Sequence, residues 1–104
     1  MKTTESIQRA APQKVKVKAG TKVEFEFFAA SAVKVAVVGT FNQWNCEKDL
    51  MRNDGTGRWK TTLVLPAGRH EYRYSVDGIW QNDQRPVECI PNAFGSWNCV
   101  LEVR

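Results

Sequence analysis

Histidine is almost absent from this sequence of 104 residues, which contains only His70. The three cysteines, Cys46, Cys89 and Cys99, lie far apart, so no pair has the close spacing of a zinc or redox site. We therefore expect no metal and no cofactor. Hydrolytic catalysis needs a base beside a nucleophile, and His70 is interpreted instead as a turn or strand-edge residue.

Long apolar runs are also absent. Residues 1–18 contain lysines but no apolar segment, and no run reaches membrane-spanning length. With no secretory signal and an odd number of cysteines, the sequence predicts a cytoplasmic protein with reduced thiols, no disulfide and no membrane partner. Cys46 and Cys89 fall in irregular segments and Cys99 in a strand, so Cys46 or Cys89 should react faster than Cys99.

Charge of one sign is not concentrated anywhere, although the net charge is +4. The densest basic run, residues 14–18, alternates lysine with valine, which is typical of a strand with one solvated face. Nucleic-acid patches need contiguous Lys/Arg clusters, so we expect no nucleic-acid partner. No glycine-rich phosphate loop and no supported pair of catalytic carboxylates is found, and the sequence therefore predicts a protein that is not an enzyme.

What is present is alternation of apolar and polar residues, the pattern of half-buried strands. Turn residues separate the alternating runs, as at residues 53–55, 66–68 and 77–78. Residues 1–13 are polar and aperiodic and are interpreted as a flexible lead-in, with a single domain over residues 14–104. Short strands at this spacing predict an all-β, immunoglobulin-like antiparallel β-sandwich, and a closed barrel is the second choice. The predicted core-facing residues are Val15, Val17, Val23, Phe25, Phe27, Val33, Val35, Val37, Trp59, Thr61, Leu63, Leu65, Tyr72, Tyr74, Val76, Trp97, Cys99, Leu101 and Val103.

Two segments, residues 39–50 and 81–95, break the alternation, and loops of a sandwich are where binding groups usually lie. Trp44 lies in the first segment and Trp80 at the edge of the second, whereas Trp59 and Trp97 fit core positions of their strands. An exposed indole suits the apolar face of a sugar ring, but also a base or a protein contact. The sequence leaves open whether Trp44 and Trp80 face solvent or are half-buried loop anchors.

Strand parity adds two polar residues to this picture. If Tyr72 and Tyr74 face the core, Arg73 faces outward, and if Cys99 faces the core, Asn98 faces outward. An arginine and an amide on the outer surface can donate hydrogen bonds to sugar hydroxyls.

A run of motifs resembles the family 48 carbohydrate-binding modules, which include the glycogen-binding domain of the AMP-activated protein kinase β subunit and the early-set domains of isoamylases and branching enzymes. Residues 37–45 (VVGTFNQWN) carry the opening motif. The resemblance continues through residues 57–59 (GRW), 65–74 (LPAGRHEYRY), 76–83 (VDGIWQND) and 92–103 (NAFGSWNCVLEV). It covers about two thirds of the chain, with its landmarks in order.

The resemblance implies a fold, a ligand and residue roles. It implies an early-set sandwich that binds α-glucans such as glycogen or starch without catalysis, with a glycogen-metabolising enzyme as the protein partner. Its aromatic platforms for glucose units match Trp44 and Trp80. Its hydrogen-bonding and packing positions match Arg73, Phe94, Ser96 and Asn98.

Two departures from the family pattern bear on this interpretation. The chain has residues 84–86 (QRP) where the family often has proline directly, and Trp97 stands where a smaller aliphatic residue is common, as a core residue or an extra platform. The alternative function is an interaction module of the same fold that has lost sugar binding and serves as an adaptor.

Overall fold

The computed structural model describes residues 20–104, so the predicted lead-in and the predicted strand at residues 14–18 lie outside the described residues. Residues 20–104 contain eight strands and one 3-10 turn, and no α-helix. All strand pairs are antiparallel. No helix long and apolar enough to cross a membrane occurs in residues 20–104. The strands are β1 (Thr21–Phe28), β2 (Val35–Gly39), β3 (Arg52–Asn53), β4 (Arg58–Leu65), β5 (Gly68–Val76), β6 (Ile79–Gln81), β7 (Cys89–Pro91) and β8 (Trp97–Val103), and the 3-10 turn is Thr40–Asn42.

The strands form two sheets, as expected for the predicted sandwich. The smaller sheet has the order β1-β4-β3, and the larger one has the order β2-β5-β8-β7, with β6 also paired to β5. Tyr74 to Val76 pair with β2 on one edge of β5 and with β6 on the other, while residues 68–72 pair with β8. Strand β5 therefore organises the larger sheet, and β6 and β8 follow each other along one of its edges. The predicted all-β, immunoglobulin-like fold class is confirmed.

The core lies between the sheets and is built largely from the residues that alternation predicted. Phe25 and Phe27 of β1 pack against Tyr72 and Tyr74 of β5, with ring centroids 5.4 Å and 4.8 Å apart. The Trp59 indole is buried and donates from Nε1 to the Ala29 carbonyl at 3.0 Å. Burial of such large aromatic side chains stabilises the fold and orients the opposite face of β5 toward solvent.

Two predictions about single residues are wrong. Val33 precedes β2 and is 85% exposed, whereas all five residues of β2, including Ala36 and Val38, are buried. Trp97 has the core-facing parity of Cys99 but is 52% exposed. His70, interpreted as a turn or strand-edge residue, lies near the start of β5 and is buried on its core side, with Nε2 2.9 Å from the Pro66 carbonyl oxygen of the preceding turn.

The second irregular segment is tied to both sheets. Asp83 accepts a hydrogen bond of 2.6 Å from the Tyr72 hydroxyl and a two-pronged ion pair from Arg85. The Gln84 side-chain amide accepts from the Phe28 N–H at 2.9 Å and donates to the Phe28 carbonyl at 2.8 Å. It thus satisfies both backbone groups of Phe28, as a residue of a paired strand does. These contacts tie residues 83–85 to β5 of the larger sheet and to the end of β1 in the smaller one.

Candidate functional site

An open pocket of about 700 Å³ lies on the outer face of the larger sheet. Glu71 and Arg73 of β5 reach it because they alternate with the core residues Tyr72 and Tyr74. Ile90 and Asn98 reach it because they lie opposite each other in the β7–β8 pair. The described residues that line it are Thr40, Trp44, Glu71, Arg73, Trp80, Ile90, Pro91, Asn92, Ala93, Phe94 and Asn98.

Trp44 is placed by a turn that a buried asparagine holds together. The Asn42 side chain is 1% exposed and accepts a hydrogen bond from the Gly39 N–H at 3.0 Å. It also donates to the Val37 carbonyl at 3.1 Å and to the Asp49 carboxylate at 2.8 Å. Since a buried amide gains its stability from satisfied hydrogen bonds, this residue fixes the turn around itself.

The backbone after Asn42 is strained. Gln43 and Trp44 have φ angles of 57° and 59°, a left-handed conformation that bulky residues rarely adopt. The Trp44 N–H donates to the Gly39 carbonyl at 2.9 Å and closes the turn. A Cβ at Gly39 would clash with the Glu71 carbonyl oxygen and the Phe41 ring, so glycine allows the turn to pack onto β5. The turn formed by the opening motif, residues 37–45, therefore directs the Trp44 side chain toward the pocket.

Trp80 lies beside Trp44 at the pocket wall. It lies on β6 opposite Ser75, which places its ring on the outer face of the sheet. The two indole centroids are 6.4 Å apart, with the ring planes inclined at 68°. Trp80 is 45% exposed and Trp44 is half-buried. The two rings are thus neither fully exposed nor fully buried. They meet edge to face and both line the pocket.

Arg73 is held in position by two contacts. Its Nε donates to the Asn82 side-chain oxygen at 2.7 Å. Its guanidinium carbon lies 5.9 Å from the centroid of the Trp80 ring, within the range of a cation–π interaction. These contacts leave the terminal nitrogens of Arg73 without a hydrogen-bond partner among residues 20–104.

Asn98 is buried at the floor of the pocket in a chain of side-chain hydrogen bonds. Its Nδ2 donates to the Glu71 carboxylate at 3.0 Å, and its Oδ1 accepts from Asn92 at 3.0 Å. An amide has two donor hydrogens and an oxygen with two lone pairs, so one donor and one acceptor position remain for a ligand. Strand parity correctly predicted that Asn98 lies on the outer face of the sheet. The hydrogen bonds to Glu71 and Asn92 determine the orientation of its amide group.

Phe94 and Ser96 belong to the turn between β7 and β8. Asn92 holds this turn by accepting from the Phe94 and Ser96 N–H groups at 2.9 and 3.1 Å. Phe94 is 93% exposed at the pocket rim, whereas Ser96 is half-buried and does not line the pocket. The structure thus brings five of the six predicted site residues into one pocket and leaves Ser96 beside it.

Sequence reasoning missed several residues of the site. Glu71 has the same parity as Arg73, so the alternation of β5 already carried the signal for it. Thr40 belongs to the opening motif. The roles of Asn82, Asn92 and Ile90 depend on the path of the second irregular segment, which has no periodic signal.

The electrostatics of the pocket are balanced. Among residues 20–104, the charged side chains that line it are Glu71 and Arg73, of opposite sign. In residues 20–104 no group of three or more His, Cys, Asp or Glu side chains could hold a metal ion. The arrangement combines aromatic rings, amides and one charge of each sign, which suits a neutral ligand with many hydroxyl groups better than a polyanion.

Comparison with known proteins gives a family match over most of the chain. The family described as the glycogen recognition site of AMP-activated protein kinase matches residues 21–104. These residues include all of the strands described above and every residue that lines the pocket.

Individual proteins are similar to the chain over shorter shares of their own length. The chain is 37% identical over 75 residues to the 1,4-alpha-glucan branching enzyme of Bradyrhizobium sp. (strain ORS 278), covering 71% of the chain and 10% of the enzyme. It is 31% identical over 72 residues to the human 5'-AMP-activated protein kinase subunit beta-2, covering 68% of the chain and 25% of the subunit. It is 28% identical over 102 residues to the rice protein FLOURY ENDOSPERM 6, chloroplastic (Oryza sativa subsp. japonica), covering 98% of the chain and 19% of that protein. The chain thus spans a quarter or less of the length of each of these relatives.

Proposed function

Because the chain belongs to the family 48 carbohydrate-binding modules, the family of the glycogen recognition site of AMP-activated protein kinase, we propose that its pocket binds α-1,4-linked glucan chains. Glycogen and starch are polymers of this kind. The observation that carries the proposal is the convergence of Trp44 and Trp80, whose ring centroids lie 6.4 Å apart at the pocket wall.

The shape of the aromatic pair supports a glucan rather than a flat ligand. Two rings inclined at 68° offer two faces that are not coplanar. Successive glucose units of an α-1,4-linked chain turn relative to each other, so neighbouring units can each lie against one indole. The C–H face of each sugar then removes apolar ring surface from water.

The polar residues supply the second half of the recognition. The free terminal nitrogens of Arg73 can donate to sugar hydroxyls, and the Asn98 amide can both donate and accept. Glu71 balances the charge of Arg73, so the pocket does not attract phosphate groups as a basic groove does. In this binding mode Phe94 packs against the glucan at the rim, and Ser96 acts only through the turn.

The acidic residues support a function without catalysis. Cleavage of a glycosidic bond generally requires two carboxyl groups facing each other across the bond. Within the described part of the chain, Glu71 is the one carboxylate that lines the pocket, and it accepts a hydrogen bond from Asn98. Asp83 is engaged by Tyr72 and Arg85 instead. We infer a binding module that holds a glycogen-metabolising enzyme near its polymer, in keeping with the branching enzyme among its relatives.

A competition experiment tests the proposal. The purified protein is mixed with glycogen or amylopectin and sedimented, with β-cyclodextrin as the competitor and cellulose as the control polymer. We expect retention on the α-glucans, release by β-cyclodextrin and no retention on cellulose. Absence of a saturable response to any α-glucan would overturn the proposal and favour the adaptor function.

A further inference from the structure

Two of the three cysteines lie directly opposite each other in the structure, although they are ten positions apart in the sequence. Cys89 on β7 is the register partner of Cys99 on β8. Residues opposite each other in an antiparallel pair project their side chains from the same face of the sheet. For Cys89 and Cys99 this is the core-facing side, opposite to the side that carries Ile90 and Asn98.

The hydrogen bonds between β7 and β8 show whether Cys89 and Cys99 form a hydrogen-bonded or a non-hydrogen-bonded pair. The Val100 N–H donates to the Glu88 carbonyl at 2.8 Å, and the Asn92 N–H donates to the Ser96 carbonyl at 2.9 Å. Since hydrogen-bonded and non-hydrogen-bonded pairs alternate along an antiparallel ladder, Cys89 and Cys99 form a non-hydrogen-bonded pair. Pro91 occupies the next such position, where its missing N–H costs no ladder bond.

This type of pair has a Cα spacing that a disulfide can span. Opposite residues in a non-hydrogen-bonded pair have Cα atoms about 4.5 Å apart, with the side chains closer than in the alternative pair. Disulfides span Cα separations of about 4.4–6.8 Å. The Cα spacing typical of this type of pair therefore falls within the range that a disulfide spans.

The two thiols differ in access. Cys89 is exposed on the edge strand, whereas Cys99 is 0% exposed and its sulfur accepts a hydrogen bond of 3.3 Å from the Asp83 N–H. Burial raises the pKa of the Cys99 thiol, so Cys99 is the poorer initial nucleophile. An oxidant from solution reaches Cys89 first.

We propose that Cys89 and Cys99 are a redox pair that forms a cross-strand disulfide by exchange with a small-molecule disulfide such as oxidised glutathione. The Cys89 thiolate attacks one sulfur of the oxidant, forms a mixed disulfide and releases one thiolate, which takes the proton lost by Cys89. The Cys99 thiolate then attacks the Cys89 sulfur, and the second thiol leaves with the proton lost by Cys99. The protein loses two hydrogens and two electrons, and the oxidant becomes two thiols.

The bridge would close a ring around much of the candidate pocket without entering it. Residues 89–99 contain six of its eleven lining residues: Ile90, Pro91, Asn92, Ala93, Phe94 and Asn98. Because β7 is a short edge strand, fixing it to β8 slows the local opening of this hairpin. All three thiols are free in the structure of residues 20–104, and the proposed bridge forms only when an oxidant is supplied.

Mass spectrometry in glutathione buffers of increasing oxidised fraction tests the proposal. After acid quenching, unfolding and alkylation of free thiols, cleavage after Phe94 separates Cys89 from Cys99. We expect the two fragments to stay joined, with a loss of two hydrogens, until a reductant is added. Hydrogen exchange of the β7–β8 amides should be at least several-fold slower in the oxidised protein.

Variants of single cysteines complete the test. Cys46→Ser should form the bridge at the same buffer composition as the wild type, and Cys89→Ser should not form it. Cys99→Ala should accumulate the mixed disulfide at Cys89. A mixed disulfide that persists at Cys89 in the wild type, or an intramolecular bridge to Cys46, would overturn the proposal. The test requires no glucan, so its outcome is independent of the proposed function.

Discussion

The indole rings of Trp44 and Trp80 meet at an angle of 68°, with their centroids 6.4 Å apart, although the residues come from different segments of the chain. Trp44 is directed to this point by the turn around Asn42, and Trp80 by its pairing with Ser75 on β5. The geometry therefore depends on the sheet and on one buried amide, and not on contact between the rings alone.

Replacing either indole with alanine should weaken glucan binding by about 1–3 kcal/mol, by analogy with the loss of stacking between bases and aromatic residues. Trp80→Ala should lower the melting temperature only slightly, because Trp80 is 45% exposed and lies outside the core. Trp44→Ala should lower it somewhat, because its ring is half-buried. Calorimetric titration with maltoheptaose and thermal melts of each variant measure both effects. If Trp44→Ala unfolds the protein, Trp44 belongs to the fold and the site must be sought elsewhere.

Much of the architecture could be predicted from alternation. Phe25, Phe27, Tyr72 and Tyr74 are buried as predicted, and the same parity directs Arg73 outward. Parity tells which face of a sheet a residue occupies, but not how far the opposite sheet extends. Trp97 shows this limit, because it has core parity and is exposed at the end of its strand.

The remaining features depend on contacts between segments that are distant in sequence. Strand β2 is fully buried although it is an edge strand of the larger sheet. Residues 49–51 cover its edge: the Val37 N–H donates to the Asp49 carbonyl and the Met51 N–H to the Val35 carbonyl. The register that places Cys89 opposite Cys99 follows from the length of the turn at residues 92–96. Neither feature has a periodic signal in the sequence.

Arg73 and Asn82 should act as a unit. Arg73→Ala should weaken glucan binding by about 0.5–1.5 kcal/mol, the usual net contribution of a hydrogen bond. Asn82→Ala should weaken glucan binding less, because the Arg73 guanidinium remains present and loses only the hydrogen bond that orients it. In a double-mutant cycle measured by titration, the second substitution should add little to the first. Strict additivity would show that Asn82 does not orient Arg73.

Asn42→Ala should reduce both stability and binding. The substitution leaves the Gly39 N–H and the Val37 carbonyl without their side-chain partner in a buried turn, at a cost of about 1–3 kcal/mol. Trp44 then loses the turn that directs it to the pocket. Urea unfolding measures the stability, and glucan titration below the unfolding transition measures the binding. The exposed Asn45→Ala in the same loop is the matched control, with little change expected in either quantity.

Stability should fall in acid, and Asp83 should contribute to the fall. Burial alone would raise the pKa of the Asp83 carboxyl, but hydrogen bonds from Arg85 and Tyr72 outweigh it, and its pKa lies below the ordinary value of 3.8. A carboxyl with a lowered pKa in the folded state stabilises the protein above its unfolded pKa and loses this contribution as pH falls through the folded value. Melting temperatures measured from pH 7 to pH 2.5 should therefore begin to decrease at about pH 4, in the range of ordinary carboxyl titration.

The Asp83→Asn variant should have a lower melting temperature at pH 7 than the wild type, and its melting temperature should decrease less in acid. An unchanged pH profile in this variant would assign the acid sensitivity to other carboxyl groups, such as Glu26 and Asp54.

Trp59 and Trp97 should respond oppositely to the same substitution, although both have core-facing parity. Trp59 is 7% exposed, packs in the core and bonds the Ala29 carbonyl, so Trp59→Ala should cost roughly 3–5 kcal/mol of unfolding free energy. Trp97 is 52% exposed, so Trp97→Ala should cost less than about 1 kcal/mol, as is usual for surface substitutions. Urea unfolding of the two variants beside the wild type measures the difference. Since Trp97 does not line the pocket, Trp97→Ala should also retain wild-type affinity for maltoheptaose. A large loss of stability in Trp97→Ala would contradict the prediction and show that the Trp97 ring is packed in solution.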